Sequence, residues 1–107
     1  MKVYLDDERP TPEGWVGTRW PDETIEKLET GEVTHLSLDH DLGGWNMVNE
    51  PTGMDVLLWL EDQIGRELWK FPLPLITLHT ANPAARQRMK QALCKIHDMI
   101  KEQGKTE

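Results

Sequence analysis

An α/β domain built on a parallel sheet is the fold class this sequence predicts, and three observations carry that reading. Short strand-like runs alternate with patterns of helical period, the order that gives a parallel sheet with right-handed crossovers. Three of the runs stop abruptly at polar residues. Lys2-Val3-Tyr4-Leu5 ends at Asp6-Asp7-Glu8, His35-Leu36-Ser37-Leu38 at Asp39-His40-Asp41, and Leu75-Ile76-Thr77-Leu78 at His79-Thr80-Ala81-Asn82. The C-terminal strand edge of an open parallel sheet is where ligands bind, so fold and site point to the same place. The length, 107 residues, accommodates a single domain over 1–107, with roughly 65% of the unfolded surface buried.

Each element has its own local cause. Residues 2–5 read as the first strand. Pro10, Pro12 and Gly14 make the next stretch a loop, and Trp15, Val16 and Arg19 offer a short strand between Gly14 and Trp20. Pro21 suits a first helical position, with Asp22 and Glu23 complementing the helix dipole. Ile25 and Leu28 give this helix a narrow apolar stripe, and Gly31 ends it. Residues 34–38 form the next strand. Residues 40–52 are a long connection with Gly43, Gly44, Asn46, Asn49 and Pro51, of the kind that is functional or mobile in a small domain. Thr52 and Asp55 form a short-armed capping box. The helix after them carries Val56, Leu57, Leu60 and Ile64 on one face. Leu58 and Trp59 widen that face, so deep burial is expected. Pro72 and Pro74 frame the next connection. Leu75–Leu78 reads as a strand buried on both faces. Asn82-Pro83 is an N-cap followed by a first helical position. Ala85, Met89, Leu93, Ile96 and Ile100 then follow at helical spacing, and the last residues are expected to fray.

Composition excludes several function classes. The formal net charge is −7, which argues against duplex DNA as a partner, because that binding rests on phosphate neutralisation. The charge is uneven: residues 1–81 hold six Lys/Arg against sixteen Asp/Glu, and residues 82–107 hold six against three. A cationic helix of this kind is either a solvated surface or a basic wall beside the acidic strand ends. No apolar run is long enough for a membrane span, and no signal-peptide pattern is present. The single cysteine, Cys94, cannot form an internal disulfide and reads as a small buried hydrophobe. The expected setting is cytoplasmic.

The acids at the strand ends suggest a divalent cation. Two carboxylates about 4 Å apart repel by about 4 kcal/mol at an effective dielectric near 20, and a bound ion relieves that. Asp6, Asp7 and Asp39 are the expected ligands, with Asp41 in support. Mg²⁺ is held by one or two carboxylates, with waters and phosphate oxygens completing the shell. Mn²⁺ is the alternative, since imidazole nearby shifts preference toward Mn, Fe or Zn. His79 and His40 are candidate general acids or bases, because their pKa lies near neutrality; either could instead be a charged partner of the acids. Asn82 caps the last helix, whose free N–H groups make an anion site. Thr80 and Arg86 join it as phosphate contacts, with Arg86 able to grip bidentately or to sit idle at the surface. Arg9 is a second phosphate contact or a salt-bridge partner of Asp6 or Asp41. Trp45 either stacks on a base or packs. Gly104-Lys105-Thr106 lacks the upstream glycine of a phosphate loop.

These motifs also carry a family resemblance. Val3-Tyr4-Leu5-Asp6-Asp7-Glu8 is similar to the first strand and acidic pair of response-regulator receiver domains. Leu38-Asp39 resembles the strand end bearing their phosphoacceptor, and Leu78-His79-Thr80-Ala81 their hydroxyl-bearing step. The first receiver helix, the fifth strand with its lysine, and the last helix have no counterpart. With Asp6-Asp7-Glu8-Arg9-Pro10, Asp39-His40-Asp41-Leu42, Thr52-Gly53 and His79-Thr80-Ala81-Asn82-Pro83, the chain resembles more closely the cyclic-phosphate-processing receiver-like domains. That resemblance implies a three-layer α/β/α, flavodoxin-like fold with a truncated four-stranded parallel sheet in order 2-1-3-4 and helices on both faces. It implies metal-dependent phosphoesterase or phosphoryl-transfer chemistry on a cyclic or terminal phosphate of a nucleotide or RNA end. In that picture Asp39, His79 and His40 carry the reaction. The alternatives are a signalling module phosphorylated on Asp39, or a domain that binds a nucleotide or protein without catalysis.

Overall fold

The structure is a computed structural model, and it describes residues 1–6, 9–39, 52–80 and 82–104. The element order is β1 (Lys2–Leu5), β2 (Val16–Thr18), α1 (Pro21–Glu29), β3 (His35–Leu38), α2 (Gly53–Gly65), β4 (Leu75–Leu78) and α3 (Pro83–Gly104). The four strands form one parallel sheet in the order β2-β1-β3-β4. This is the receiver-like, flavodoxin-like α/β arrangement expected from the sequence.

Register explains the core. Val3 pairs with Leu36 and Leu36 with Ile76, while Leu5 pairs with Leu38 and Leu38 with Leu78. Side chains alternate across a strand, so these residues share one face. That face meets the helices, and Val3, Leu5, Leu36 and Leu38 are fully buried there with Leu57, Leu60, Met89 and Ile96. Locally the helices start as their sequences require. Pro21 opens α1, and the buried Thr24 hydroxyl lies 2.7 Å from that of Thr18 on β2. At α2, Thr52 Oγ1 accepts from Met54 N–H at 3.2 Å, and Asp55 Oδ2 accepts from Thr52 N–H at 2.9 Å. At α3, Asn82 Oδ1 accepts from Ala85 N–H at 3.1 Å. Gly31 closes α1 with φ +75°, a conformation costly for any other residue, and the Phe71 ring packs where its side chain would be.

The second face of the sheet differs from the α/β/α expectation: no helix covers it among the described residues. The steps β2 to β3 and β3 to β4 run in one direction across the sheet, so right-handed crossovers put α1 and α2 on the same face. The helices pack in a row, α1 on α2 and α2 on α3. A helix on the opposite face would have to join β1 to β2. Pro10, Pro12 and the turn at Gly14 (φ +85°) occupy that connection instead, and prolines in series cannot supply helical N–H donors. Trp15 from this loop lies edge-on against Tyr4 and His35, with the Lys2 ammonium 5.8 Å from its ring.

The same topology corrects three smaller expectations. β4 is an edge strand rather than one buried on both faces: Leu75 is 62% exposed and Thr77 is exposed. Leu58 is 49% exposed, so α2 is buried on one face only. Cys94 is exposed, because it lies off the Ala85–Met89–Ala92–Ile96 stripe that α3 turns inward. No described helix is long and apolar enough to cross a membrane.

Candidate metal and phosphate site

Three strand ends converge because the ladder continues one residue past each strand. Asp6 N–H donates to Thr18 O at 3.0 Å, Asp39 N–H to Leu5 O at 3.1 Å, and His79 N–H to Leu38 O at 3.0 Å. Since Leu5, Leu38 and Leu78 are in register, Asp6, Asp39 and His79 occupy the next rung across three adjacent strands. Strand spacing is near 4.8 Å. One ligand atom from each of the three residues lies within 4.8 Å of the others. Alternation aims this rung toward the face that carries Tyr4 and Ser37, the one without a helix among the described residues.

His79 is held from three sides. Its Nδ1 lies 2.7 Å from Ser37 Oγ and its Nε2 3.1 Å from Asp6 Oδ2. Its ring stacks on Tyr4 with centroids 4.3 Å apart and planes 4° from parallel. Burial lowers its pKa below 6.5, outweighing the pull of Asp39 and Asp6, while Arg9 pushes the same way as burial. At neutral pH the imidazole is therefore uncharged, and its contact with Asp6 is a hydrogen bond from Nε2–H rather than an ion pair.

Asp6 is a buried carboxylate, and Arg9 supplies its counter-charge. Arg9 N–H donates to Asp6 Oδ1 at 2.9 Å, and Arg9 Nε lies 3.9 Å from Oδ2. Arg9 Nη1 also donates to the His79 carbonyl at 2.6 Å. Of the two roles foreseen for Arg9, the structure displays the salt-bridge role: it ties β1's end to β4's. Opposite them, the first turn of α2 presses on Asp39. A side chain on Gly53 would run into the Asp39 carbonyl, so glycine here lets the helix N-terminus touch the strand end.

The remaining expected residues line the start of α3. Thr80 is buried, and its Oγ1 accepts from Asn82 N–H at 3.2 Å, shaping the turn into the helix. Asn82 caps that helix. Arg86 is exposed one turn in, with its backbone N–H on Asn82 O at 2.9 Å. Asp7, His40, Asp41 and Trp45 lie outside the described residues. The structure thus unites Asp6, Asp39, His79 and Arg9 and puts Thr80 next to them. Sequence reasoning missed Ser37 and Tyr4. The signal was the polar Ser37 between Leu36 and Leu38, but only the pairing of Tyr4 with Ser37 shows that both point at His79.

Two carboxylates and one imidazole from a common rung form a donor set that fits a divalent cation, and receiver domains hold Mg²⁺ through aspartates in this region. No curated protein and no solved structure matches this chain. A family model described as the cyclic-phosphate processing receiver domain matches residues 1–95. With the 2-1-3-4 parallel sheet and aspartates at the ends of β1 and β3, this match places the chain in the family of cyclic-phosphate processing receiver domains.

Proposed function

We propose that this protein is a metal-dependent phosphoesterase that opens or removes a cyclic or terminal phosphate on a nucleotide or RNA end, in the cytoplasm. The observation that carries the reading is the meeting of Asp6, Asp39 and His79 on one rung at the ligand-binding edge of the sheet. Asp6 and Asp39 would hold the ion, with Asp7 and Asp41 as further carboxylates from the same two segments. A bound divalent ion supplies Lewis-acid polarisation of a phosphoryl oxygen.

The chain's own residues do the rest. The N-terminus of α3, with Thr80 and Asn82 at its entry, presents backbone N–H groups to the phosphate, and Arg86 approaches from the first turn. A water oxygen forms the new P–O bond while the ester P–O bond breaks. The departing alkoxide takes a proton from the imidazolium form of His40 or His79, which is left neutral, and the attacking water gives its own proton to solvent through the rim carboxylates. Arg9 holds the Asp6 carboxylate in place throughout.

The test is incubation of the purified protein with 2′,3′-cyclic nucleotides and with RNA ending in a 2′,3′-cyclic phosphate, in Mg²⁺ or Mn²⁺, followed by phosphorus NMR. Metal-dependent conversion to a phosphomonoester that is lost in Asp39→Asn supports the reading. No conversion with any ion refutes it. A stable phosphoryl adduct on Asp39 after acetyl phosphate treatment would favour a signalling module instead.

A further inference from the structure

We infer that His79 is itself a ligand of the ion, held by Ser37 and Tyr4 with Nε2 toward Asp6 and Asp39, and that the site therefore selects a nitrogen-accepting first-row ion over Mg²⁺. This rests on the reading that a divalent cation is held at this rim.

Geometry favours ligation over proton donation. Two ligands each about 2.1 Å from one ion, at tetrahedral or octahedral angles, sit roughly 3.0–3.4 Å apart. His79 Nε2 and Asp6 Oδ2 are 3.1 Å apart, so they can share an ion with little movement. Both ring nitrogens are engaged, Nδ1 by Ser37 and Nε2 by Asp6, and the Tyr4 stack fixes the ring plane. A ring with Nδ1 on Ser37 and Nε2 on the ion has no free nitrogen for a leaving oxygen. Proton donation then falls to His40, the other histidine at the strand ends.

Ser37 is the residue type this role needs. A metal-ligating histidine directs its other N–H to a second partner, which fixes ring orientation and tautomer. In the metal-free protein Nε2–H faces Asp6, so Nδ1 accepts from the Ser37 hydroxyl. When an ion takes Nε2, that proton leaves to solvent and Nδ1 gains one, so the ring stays neutral and no net proton is released. The Ser37 hydroxyl then rotates from donor to acceptor. A carboxylate or carbonyl in its place would satisfy only the second state. Ser37 is 6% exposed, so either state must be satisfied within the protein. Imidazole in the ligand set moves preference away from Mg²⁺, which favours oxygen, toward ions such as Mn²⁺, Fe²⁺ and Zn²⁺.

The test is calorimetric titration of the whole protein with Zn²⁺, Mn²⁺ and Mg²⁺. It uses a Cys94→Ser, His97→Gln background, because those two exposed α3 residues lie three apart and can bind Zn²⁺ on their own. Both Zn²⁺ and Mn²⁺ are expected to bind more tightly than Mg²⁺. Ser37→Ala should weaken Zn²⁺ about 10-fold or more, within the range for groups that support a metal ligand, and His79→Ala by more than Ser37→Ala, with Mg²⁺ weakened far less in both. Nitrogen NMR of the Zn²⁺-loaded protein should show His79 switching from Nε2–H to Nδ1–H. Circular dichroism shows that each variant is folded. Equal losses of Mg²⁺ and Zn²⁺ in His79→Ala, or an Nε2 that stays protonated with Zn²⁺ bound, overturns the inference. Zn²⁺ selectivity without phosphate-ester cleavage would support it and refute the phosphoesterase reading; cleavage with no preference between Mg²⁺ and Zn²⁺ would do the reverse.

Discussion

Replacing Asp39 with Asn should make the metal-free protein more stable, not less. Asp6 and Asp39 place ligand atoms within 4.8 Å of each other. Two unit charges at that distance repel by about 3–4 kcal/mol at an effective dielectric near 20. Part of this is already offset, since Arg9 Nε lies 3.9 Å from Asp6 Oδ2 with its side chain 48% exposed. A net gain of about 1–2 kcal/mol is therefore expected in Asp39→Asn, which moves a urea midpoint upward by roughly 0.5–1 M for a domain of this size. The parent should gain instead from added ion, by about 2.7 kcal/mol at a concentration 100 times the dissociation constant, and Asp39→Asn should lose most of that gain. The assay is equilibrium urea unfolding of both proteins in chelator and in saturating Mn²⁺. If Asp39→Asn is less stable than the parent in chelator, or keeps the parent's full response to the ion, the two carboxylates do not share an ion site and the reasoning fails.

Three further outcomes follow from the same contacts. Because the folded pKa of His79 is lowered below 6.5 by burial, the unfolded chain binds more protons as the solution is acidified. The contribution of His79 to stability is thus complete above pH ~6.5 and is lost as pH falls from there toward its folded pKa. Unfolding midpoints of the metal-free parent should decline more steeply below neutrality than those of His79→Gln, and parallel profiles would remove His79 as the source. In Gly53→Ala the new methyl meets the Asp39 carbonyl. At this first helical position little propensity is gained, so an overpacking cost of about 1–3 kcal/mol dominates, and ion affinity measured by calorimetry should fall because Asp39 is displaced; unchanged affinity would argue against that contact. Thr52→Ala removes the α2 cap and should cost about 1 kcal/mol by urea unfolding, with ion affinity close to the parent's.

Much of the site was legible in the sequence because strand ends in a parallel α/β sheet are marked locally. Leu5-Asp6, Leu38-Asp39 and Leu78-His79 each show an apolar run stopping at a ligand-capable residue, and the alternation of elements says that such ends gather on one edge. The caps were legible for a similar reason: Thr52 with Asp55, and Asn82 with Pro83, act within a few residues of themselves. Ser37 was not legible as a functional residue. Its partner, His79, is 42 positions away, and nothing near Ser37 in the chain marks that contact.

By itself the sequence determined the seven elements, the 2-1-3-4 receiver-like class once its motifs were recognised, and the acids and histidines that end the strands, since periodicity, capping and turn chemistry act over a few residues. Tertiary structure alone decided which surfaces are covered. Crossover handedness put α1 and α2 on one face, packing of α3 against α2 added the third described helix to it, strand order left β4 at an edge with Leu75 exposed, and the buried stripe of α3 left Cys94 outward. It also decided that Arg9 binds Asp6 and that His79 rests between Tyr4, Ser37 and Asp6. These are matters of register and packing between segments distant in the chain, and an apolar or polar residue carries the same local signature whichever neighbour finally meets it.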